Sequence, residues 1–197
     1  MNPTPALLLI DIQKGFDDLA HWGGRNNPQA EANAQRLLTY WRGQGWPIVH
    51  VQHCSVSPTS PLREGQEGNE FKDEVKPGPG EPVFQKSVNS GFIGTGLQTY
   101  LEEQGLRTLV IGGLTTDHCV STTTRMAGNY GFDTYLVADA TATFDKTGPD
   151  GQPYAAELIH QTALASLHGE FATVLTTDQL LETLAVEPLD ATAFFRR

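Results

Sequence analysis

The fold is decided by residues 108–139, which have the sequence TLVIGGLTTDHCVSTTTRMAGNYGFDTYLVAD. An apolar run, TLVIGGL, is followed by a polar turn, a segment of helical character and a second apolar run, FDTYLVAD. Both runs are continuously apolar rather than alternating, which is typical of strands in a parallel sheet that is buried on both faces. A strand, a helix and a second strand in this order predict the crossover unit of an α/β protein.

The same alternation extends to both sides of this stretch. Further strands are predicted at ALLLIDI, PIVHVQH, EPVFQK and EFATVLT, and further helices at NPQAEANAQRLLTYWRGQG, GTGLQTYLEEQG, YAAELIHQTALASLHG and TDQLLETLA. We therefore predict one domain over residues 1–197 with a doubly wound, three-layer α/β/α fold. Residues 54–81 are rich in Pro, Gly and charged side chains, which predicts a long loop with a functional role.

The composition excludes several classes of protein. The chain has 197 residues and a net charge of −10, and it lacks the basic cluster that a nucleic-acid binder would carry. The first apolar run is too short for a signal peptide, and no segment is long enough to span a bilayer. Two cysteines far apart in sequence fit a reducing compartment. We expect a cytoplasmic protein whose partner is a small molecule, not nucleic acid or membrane.

Reactive side chains are predicted at the carboxyl ends of the strands, where open parallel sheets place their binding sites. Asp11 ends the first strand, His53 the second and Lys86 the third. Cys119 follows the fourth strand by a short turn, and Asp139 ends the fifth. These residues are therefore expected to lie along one edge of the sheet.

Three of these residues could carry nucleophilic catalysis. A helix N-terminus and a nearby Lys86 would lower the pKa of Cys119 and favour the nucleophilic thiolate. Asp11 could transfer protons as general acid and base, and backbone N–H groups of the turn could hold an oxyanion. The structural alternatives are a buried apolar cysteine, a solvated Lys86 and an Asp11 that caps a helix or turn.

Other motifs are weaker. HCVSTTTR has the His-Cys-x5-Arg spacing of cysteine phosphatases, but it lacks the glycine that a phosphate-cradling turn needs and has β-branched residues instead. GTGLQT lacks the third glycine of a dinucleotide site, and no GxSxG motif supports a serine hydrolase. A cysteine phosphatase remains an alternative.

Four segments together resemble the isochorismatase-like cysteine hydrolases, the family that includes nicotinamidases and N-carbamoylsarcosine amidases. They are LLLIDIQKGF, FQKSVNSGFIGTGLQTYLEEQG, TLVIGGLTTDHCVSTTTRMAGNYGFDTYLVADATATF and LHGEFATVLTT, in the order of the family. The resemblance implies a catalytic triad of Asp11, Lys86 and Cys119, a six-stranded parallel sheet in Rossmann-like order, and a homodimer or homotetramer. It also implies a cis peptide bond at Leu114–Thr115, with the N–H groups of Thr115 and Cys119 as oxyanion hole.

The chain also departs from parts of this family. Nicotinamidases carry an Asp-x-His metal motif after the second strand, where this chain has HVQHCSVSPTSPL. We therefore predict no metal ion and no other cofactor, and we doubt nicotinamide as substrate. Members that hydrolyse a vinyl ether do not use a cysteine nucleophile, so Cys119 favours an amide or a ureide. Vinyl-ether hydrolysis and a non-catalytic binding role remain alternatives.

Several aromatic and polar residues could line the substrate pocket, although ordinary packing is the alternative for each. They are Phe16, Trp22, His53, Asn89, Phe92, His118 and Tyr154. The C-terminal segment DATAFFRR is predicted to pack on the domain or to contact a partner.

Overall fold

The computed structural model describes residues 4–186 and residue 189. The strands, in chain order, are β1 (Ala6–Ile10), β2 (Ile48–His53), β3 (Val83–Lys86), β4 (Thr108–Leu114), β5 (Asp133–Ala142), β6 (Lys146–Thr147), β7 (Pro153–Tyr154) and β8 (Thr173–Leu175). The helices are α1 (Leu19–Trp22), α2 (Ala30–Gln44), α3 (Leu97–Glu103), α4 (Ser121–Asn129), α5 (Ala156–Leu167) and α6 (Thr177–Val186). Short 3-10 turns cover Lys14–Asp17, Glu67–Asn69 and Asp73–Val75, and a π-helical turn covers Thr116–Val120.

Six strands form one parallel sheet in the order β3-β2-β1-β4-β5-β8. The order reverses at β1, because the chain first builds outward to β3 and then returns to add β4, β5 and β8. This confirms the predicted doubly wound α/β fold. The two-residue strands β6 and β7 form a small antiparallel hairpin after β5, which was not predicted.

The sheet is buried on both faces, as the continuous apolar runs predict. Along β1, Leu8 and Ile10 pack on the face covered by α3, α4 and α5, whereas Leu7 and Leu9 pack on the face covered by α2 and α6. Because a helical layer covers each face of the described sheet, a ligand reaches the strands at their ends.

Some boundaries differ from the predicted ones. The second helix begins at Ala30 rather than near Asn27, which adopts a positive φ of 44°. Strand β5 continues to Ala142 instead of ending at Asp139. Asp139 Oδ1 accepts hydrogen bonds from the backbone N–H and the hydroxyl of Thr177, at 2.7 and 2.8 Å. Asp139 therefore anchors the start of α6, away from the predicted site.

The loop between β2 and β3 contains two 3-10 turns and contacts the rest of the domain at several points. Within the described ranges, no helix is both long and apolar enough to cross a membrane. The C-terminal segment 190–197, for which we predict a packing or partner contact, lies outside the described residues.

Candidate active site

Three neighbouring parts of the sheet bring the predicted catalytic residues together. Asp11 directly follows β1, Lys86 is the last residue of β3, and Cys119 lies in the π-helical turn between β4 and α4. All three are buried, and Cys119 keeps 8% of its surface exposed. Turns with π-helical hydrogen bonding are frequent at functional sites.

The local backbone explains how β4 delivers the turn that carries Cys119. Gly113 pairs with Ile10 in the neighbouring strand and has a φ of 131°. A side-chain carbon at this position would overlap the Ile10 carbonyl oxygen, so the strand can approach β1 only with glycine here. The Leu114–Thr115 peptide bond that follows is cis.

Asp11 itself adopts a left-handed backbone conformation, with a φ of 52°. An aspartate tolerates this region better than most residues do, although it remains uncommon outside glycine. The turn begins immediately after the last residue of β1, so the carboxylate is fixed to the end of the central strand.

The Lys86 ammonium lies at the centre of the cluster. Its Nζ is 2.5 Å from Asp11 Oδ2, 3.1 Å from His53 Nδ1 and 3.3 Å from Cys119 Sγ. The side chains of Lys86 and Asp11 are both fully buried. A lysine ammonium has three N–H donors, so these three neighbours can use all of them.

The electrostatics correct one prediction. The pKa of the Cys119 thiol is raised, not lowered, because burial and the Asp11 carboxylate outweigh the favourable effect of Lys86. The helix N-terminus and the lysine were recognised from the sequence, but the depth of the thiol and its nearby anion were not. The free protein therefore holds Cys119 mainly as the neutral thiol.

Burial also raises the pKa of Asp11, although the Lys86 ammonium opposes this effect. Oδ1 of Asp11 is buried and makes no hydrogen bond of ordinary geometry within residues 4–186 and 189. A carboxylate with a raised pKa and a free oxygen beside a thiol is suited to accept a proton from it.

His53 contacts Lys86 through one ring nitrogen and also lies near the Val88 backbone. Burial and the Lys86 charge lower its pKa to about 4. The imidazole is therefore neutral at physiological pH, and Nδ1 acts as an acceptor for Lys86.

Two residues that the sequence analysis did not identify hold the end of β2 in place. The side chain of Gln13 accepts from His53 N at 2.9 Å and donates to His53 O at 3.0 Å. Asn69 Nδ2 donates to the same His53 carbonyl at 2.9 Å. Gln13 has no exposed surface, and its position two residues after Asp11 was the available sequence signal.

Among the predicted pocket residues, Asn89 lies next to the thiol, and Phe92 lies in the core cluster that contains Cys119. Asn89 is exposed, and its Oδ1 is 4.0 Å from Cys119 Sγ. Phe92 belongs to the same core cluster as Cys119 and stacks on Phe132 with ring centroids 6.0 Å apart. The exposed Asn89 marks one side from which a ligand can approach Cys119.

Phe16 and Trp22 form an aromatic group with Phe144. The Phe16 and Trp22 ring centroids are 4.9 Å apart, and those of Trp22 and Phe144 are 5.6 Å apart. This group packs with Leu114, the residue that precedes the nucleophile turn. The aromatic group therefore packs against the end of β4, next to the turn that carries Cys119. A role of Phe16 and Trp22 in substrate binding remains a prediction.

His118 and Tyr154 lie at the periphery. His118 Nε2 is 3.4 Å from Asp117 Oδ2, and about half of the His118 side chain is exposed. Tyr154 is in the small hairpin, where its hydroxyl is 3.4 Å from Asp150 Oδ2. The structure does not bring either of them into hydrogen-bond contact with Asp11, Lys86 or Cys119.

The geometry also bears on metal binding. Oxygen, nitrogen and sulfur donors of Asp11, His53 and Cys119 lie within 4.8 Å of one another, a spacing that a metal ion could use. The Lys86 ammonium, however, already contacts all three residues. A second cation there would meet the repulsion of the buried ammonium, so these donors do not fit a metal ion.

Comparisons with known proteins agree on one family. A family model described as an isochorismatase domain matches residues 5–179. The isochorismatase family protein YrdC of Bacillus subtilis is 50% identical over 181 residues, which cover 92% of this chain and 96% of YrdC.

A solved structure from Chromobacterium violaceum, described as a hydrolase of the isochorismatase family, has a TM-score of 0.89 and 46% identity. The match covers 92% of this chain and 94% of that one. Nicotinamidase 3 of Arabidopsis thaliana is more distant, at 29% identity over 193 residues that cover 91% of this chain and 88% of the relative.

Proposed function

The chain belongs to the isochorismatase family, and we propose that it is a cysteine hydrolase that cleaves a C–N bond of a small amide or ureide. The observation that carries the proposal is the Lys86 ammonium held between the Asp11 carboxylate and the Cys119 thiol, 2.5 Å from the first and 3.3 Å from the second. This arrangement supplies a base, a nucleophile and a fixed positive charge in one buried cluster.

The first half of the reaction forms a covalent intermediate. Asp11 takes the proton of the Cys119 thiol while Sγ attacks the carbonyl carbon, and Lys86 stabilises the negative charge on the sulfur. The carbonyl oxygen becomes an oxyanion, for which the backbone N–H groups of Thr115 and Cys119 are the proposed donors. Asp11 then gives its proton to the leaving nitrogen as the C–N bond breaks, which releases ammonia or an amine and leaves a thioester.

The second half restores the enzyme. Asp11, again a carboxylate, takes a proton from water while the water oxygen attacks the thioester carbon. The C–S bond breaks, the carboxylic acid product leaves, and the proton returns to Cys119. The sum is one amide and one water converted to one acid and one amine, with all catalytic groups regenerated.

The raised pKa of the Cys119 thiol supports a coupled mechanism. Because the free protein holds a neutral thiol, deprotonation must accompany substrate binding or attack instead of preceding it. The raised pKa of Asp11 makes this carboxylate a better proton acceptor than an exposed aspartate.

A metal-independent mechanism fits the donor set, because Lys86 contacts the same three residues that a metal ion would need. We therefore propose that this chain binds its substrate without a metal ion. The similarity to a nicotinamidase does not by itself assign nicotinamide as the substrate.

The test is ammonia release from a panel of small amides and ureides, measured for the wild type and for Cys119→Ala, with and without a chelator. The proposal expects release by the wild type alone, with equal rates in the presence of the chelator. A thermal unfolding curve of Cys119→Ala checks that the variant remains folded.

Other outcomes assign other chemistry. Equal activity of Cys119→Ala would exclude covalent thiol catalysis, and a loss of activity in chelator would exclude the metal-independent mechanism. Turnover of an aryl phosphate that vanadate inhibits would favour the phosphatase alternative. Cleavage of a vinyl ether, with every amide and ureide left intact, would replace the proposed C–N hydrolysis.

A further inference from the structure

The Lys86 ammonium has a partner that the triad does not include. His53 Nδ1 is 3.1 Å from Nζ and completes a set of three acceptors with Asp11 and Cys119. The Lys86 side chain has no exposed surface, so water cannot replace a missing acceptor without a rearrangement. A buried N–H without a partner is costly, and more so on a charged group.

The backbone of His53 is held by two side chains. The Gln13 side chain binds both its backbone N–H and its carbonyl, and Asn69 binds the carbonyl as well. The Val88 backbone, just past the end of β3, lies close enough to the ring to oppose the lowering of its pKa. Nδ1 of the ring faces Lys86 as an acceptor, because an ammonium nitrogen can only donate.

We infer that His53 is a positioning residue, which accepts the third N–H of Lys86 and thereby aims the ammonium at Asp11 and Cys119. The inference rests on the proposed function, because it assigns His53 to the same cluster. It differs from a substrate contact, since Nδ1 of the ring is already engaged by Lys86. His53 acts through Lys86 and touches no reacting atom.

The neutral state of the imidazole is consistent with this role. Burial and the Lys86 charge lower the pKa of His53 to about 4, so Nδ1 keeps its lone pair at physiological pH. The groups that face the ring and can carry charge are Lys86 and, across it, Asp11 and Cys119. Protonation of His53 would place two like charges side by side and disrupt the set of acceptors.

The test compares three variants with the wild type. His53→Leu removes the acceptor while keeping an apolar side chain of related size. His53→Gln keeps one oxygen that can accept from Lys86. His50→Gln is the control, because His50 is the other histidine of β2, is buried, and lies outside the Lys86 cluster.

With an amide substrate from the panel, we expect His53→Leu to lower kcat by about 10- to 100-fold with KM changed less than about twofold, which is the range for a hydrogen bond to a charged group. His53→Gln should recover most of kcat, and His50→Gln should leave kcat unchanged. A loss in KM alone would make His53 a substrate contact instead. Equal losses in the Leu and Gln variants would assign it a packing role, and an unaffected kcat in His53→Leu would also overturn the inference.

A readout without substrate separates this inference from the proposed function. The chain has 2 cysteines, so a Cys54→Ser background leaves Cys119 as the single thiol. At a fixed alkaline pH, alkylation of Cys119 by iodoacetamide should slow about tenfold in His53→Leu, because a misplaced Lys86 stabilises the thiolate less. It should keep the parent rate in His53→Gln, and equal rates in all variants would contradict the role of His53 even if no amide were hydrolysed.

Discussion

Two charge clusters sit at opposite ends of β3 and are built from the same kinds of side chain, although the first is buried and the second reaches the surface through Arg42. Each contains a carboxylate, a cation and a histidine of β2. The Asp11 cluster consists of Asp11, His53, Lys86 and Cys119, and the Glu81 cluster consists of Arg42, His50 and Glu81.

The two carboxylates differ in how many hydrogen bonds they accept. Glu81 accepts two from Arg42, at 2.7 and 2.9 Å, one from the Gly78 N–H at 2.8 Å, and contacts His50 Nε2 at 2.7 Å. Asp11 accepts one from Lys86 and leaves Oδ1 without an ordinary partner in the described residues. These contacts lower the pKa of Glu81 to about 2, whereas burial raises that of Asp11.

The difference shows that an ion pair alone does not indicate chemistry. A fully satisfied carboxylate such as Glu81 stays ionised and holds the elements around it together. A carboxylate that is buried, incompletely bonded and next to a thiol can exchange a proton.

The largest expected effect is that of Asp11→Asn. The amide keeps the size of the side chain but cannot accept the thiol proton or return it to the leaving group, so kcat should fall by about 10³-fold or more. Steady-state ammonia release measures this, with circular dichroism as the folding control. A fall of less than tenfold would break the assignment of Asp11 as the proton-transfer group.

Gly113→Ala tests the backbone on which the Asp11 cluster depends. The added carbon would overlap the Ile10 carbonyl at a φ of 131°, so the variant should lose about 3 kcal/mol of unfolding free energy. Gly131→Ala is a control, because its φ of 80° is also positive but its site is open. Equal losses in both variants in urea unfolding would show that the conformation, and not the contact with β1, sets the cost.

Glu81→Gln should have the converse effect to Asp11→Asn. Removing the charge weakens the contacts to Arg42 and His50, so the unfolding free energy should fall by about 2 kcal/mol while kcat is unchanged. Urea unfolding and ammonia release on the same preparation measure both quantities. A large loss of kcat at wild-type stability would mean that the two clusters are not separate in function.

The pH dependence of that stability difference has a definite sign. Glu81 has a pKa of about 2 in the folded state, below the ordinary value of 4.5, so the unfolded chain binds its proton more readily. Its contribution is complete above about pH 4.5 and is lost as the pH falls toward about 2. Unfolding free energies of the wild type and Glu81→Gln should converge over this range, and a constant difference would rule out the charge as its source.

The smallest expected effect concerns the resting thiol. Because burial and Asp11 raise the pKa of Cys119, its alkylation in a Cys54→Ser background should be slow at neutral pH. The rate should still increase between about pH 7 and pH 9.5 instead of reaching a plateau below neutrality. Mass spectrometry of the alkylated protein measures this rate. A plateau of the rate below neutral pH would support the low pKa of Cys119 that the sequence predicts.

Most of the fold could be predicted from the sequence, because the apolar runs of a doubly buried sheet are long and continuous. All six strands of the large sheet and its doubly wound architecture are present where they were expected. The hairpin of β6 and β7 was not predicted, since two-residue strands leave no periodic pattern. The extension of β5 to Ala142 follows a register shift between Ile111 and Gly113, which is a property of strand pairing and not of local sequence.

For the site, the sequence predicted which residues meet but not the electrostatics. Lys86 ends a parallel strand, and Asp11 and Cys119 come shortly after two others. The ends of these strands share one edge of the sheet, so the proximity of the three residues could be inferred. Packing of segments that are distant in sequence buries Cys119 and leaves Asp11 Oδ1 without a hydrogen-bond partner among the described residues. The raised pKa of the thiol follows from this packing, so the sequence could not predict it. The sequence predicts His53 at the end of β2. Its hydrogen bond to Lys86 depends on the register between β2 and β3, which pairs the two residues directly and which the sequence does not reveal.

The Gln13 side chain has one more consequence. Its amide donates to and accepts from the His53 backbone, as a peptide group of a neighbouring strand would. It thereby extends the hydrogen-bond ladder of β2 beyond the last residue of β1. The last rung of a ladder is normally the one that frays. Here the ladder is closed by the Gln13 side chain together with Asn69 of the β2–β3 loop, so the strand end that faces Lys86 is tied both to the turn after β1 and to that loop. A change in this loop that displaces Asn69 therefore also removes a hydrogen bond from the strand end beside Lys86.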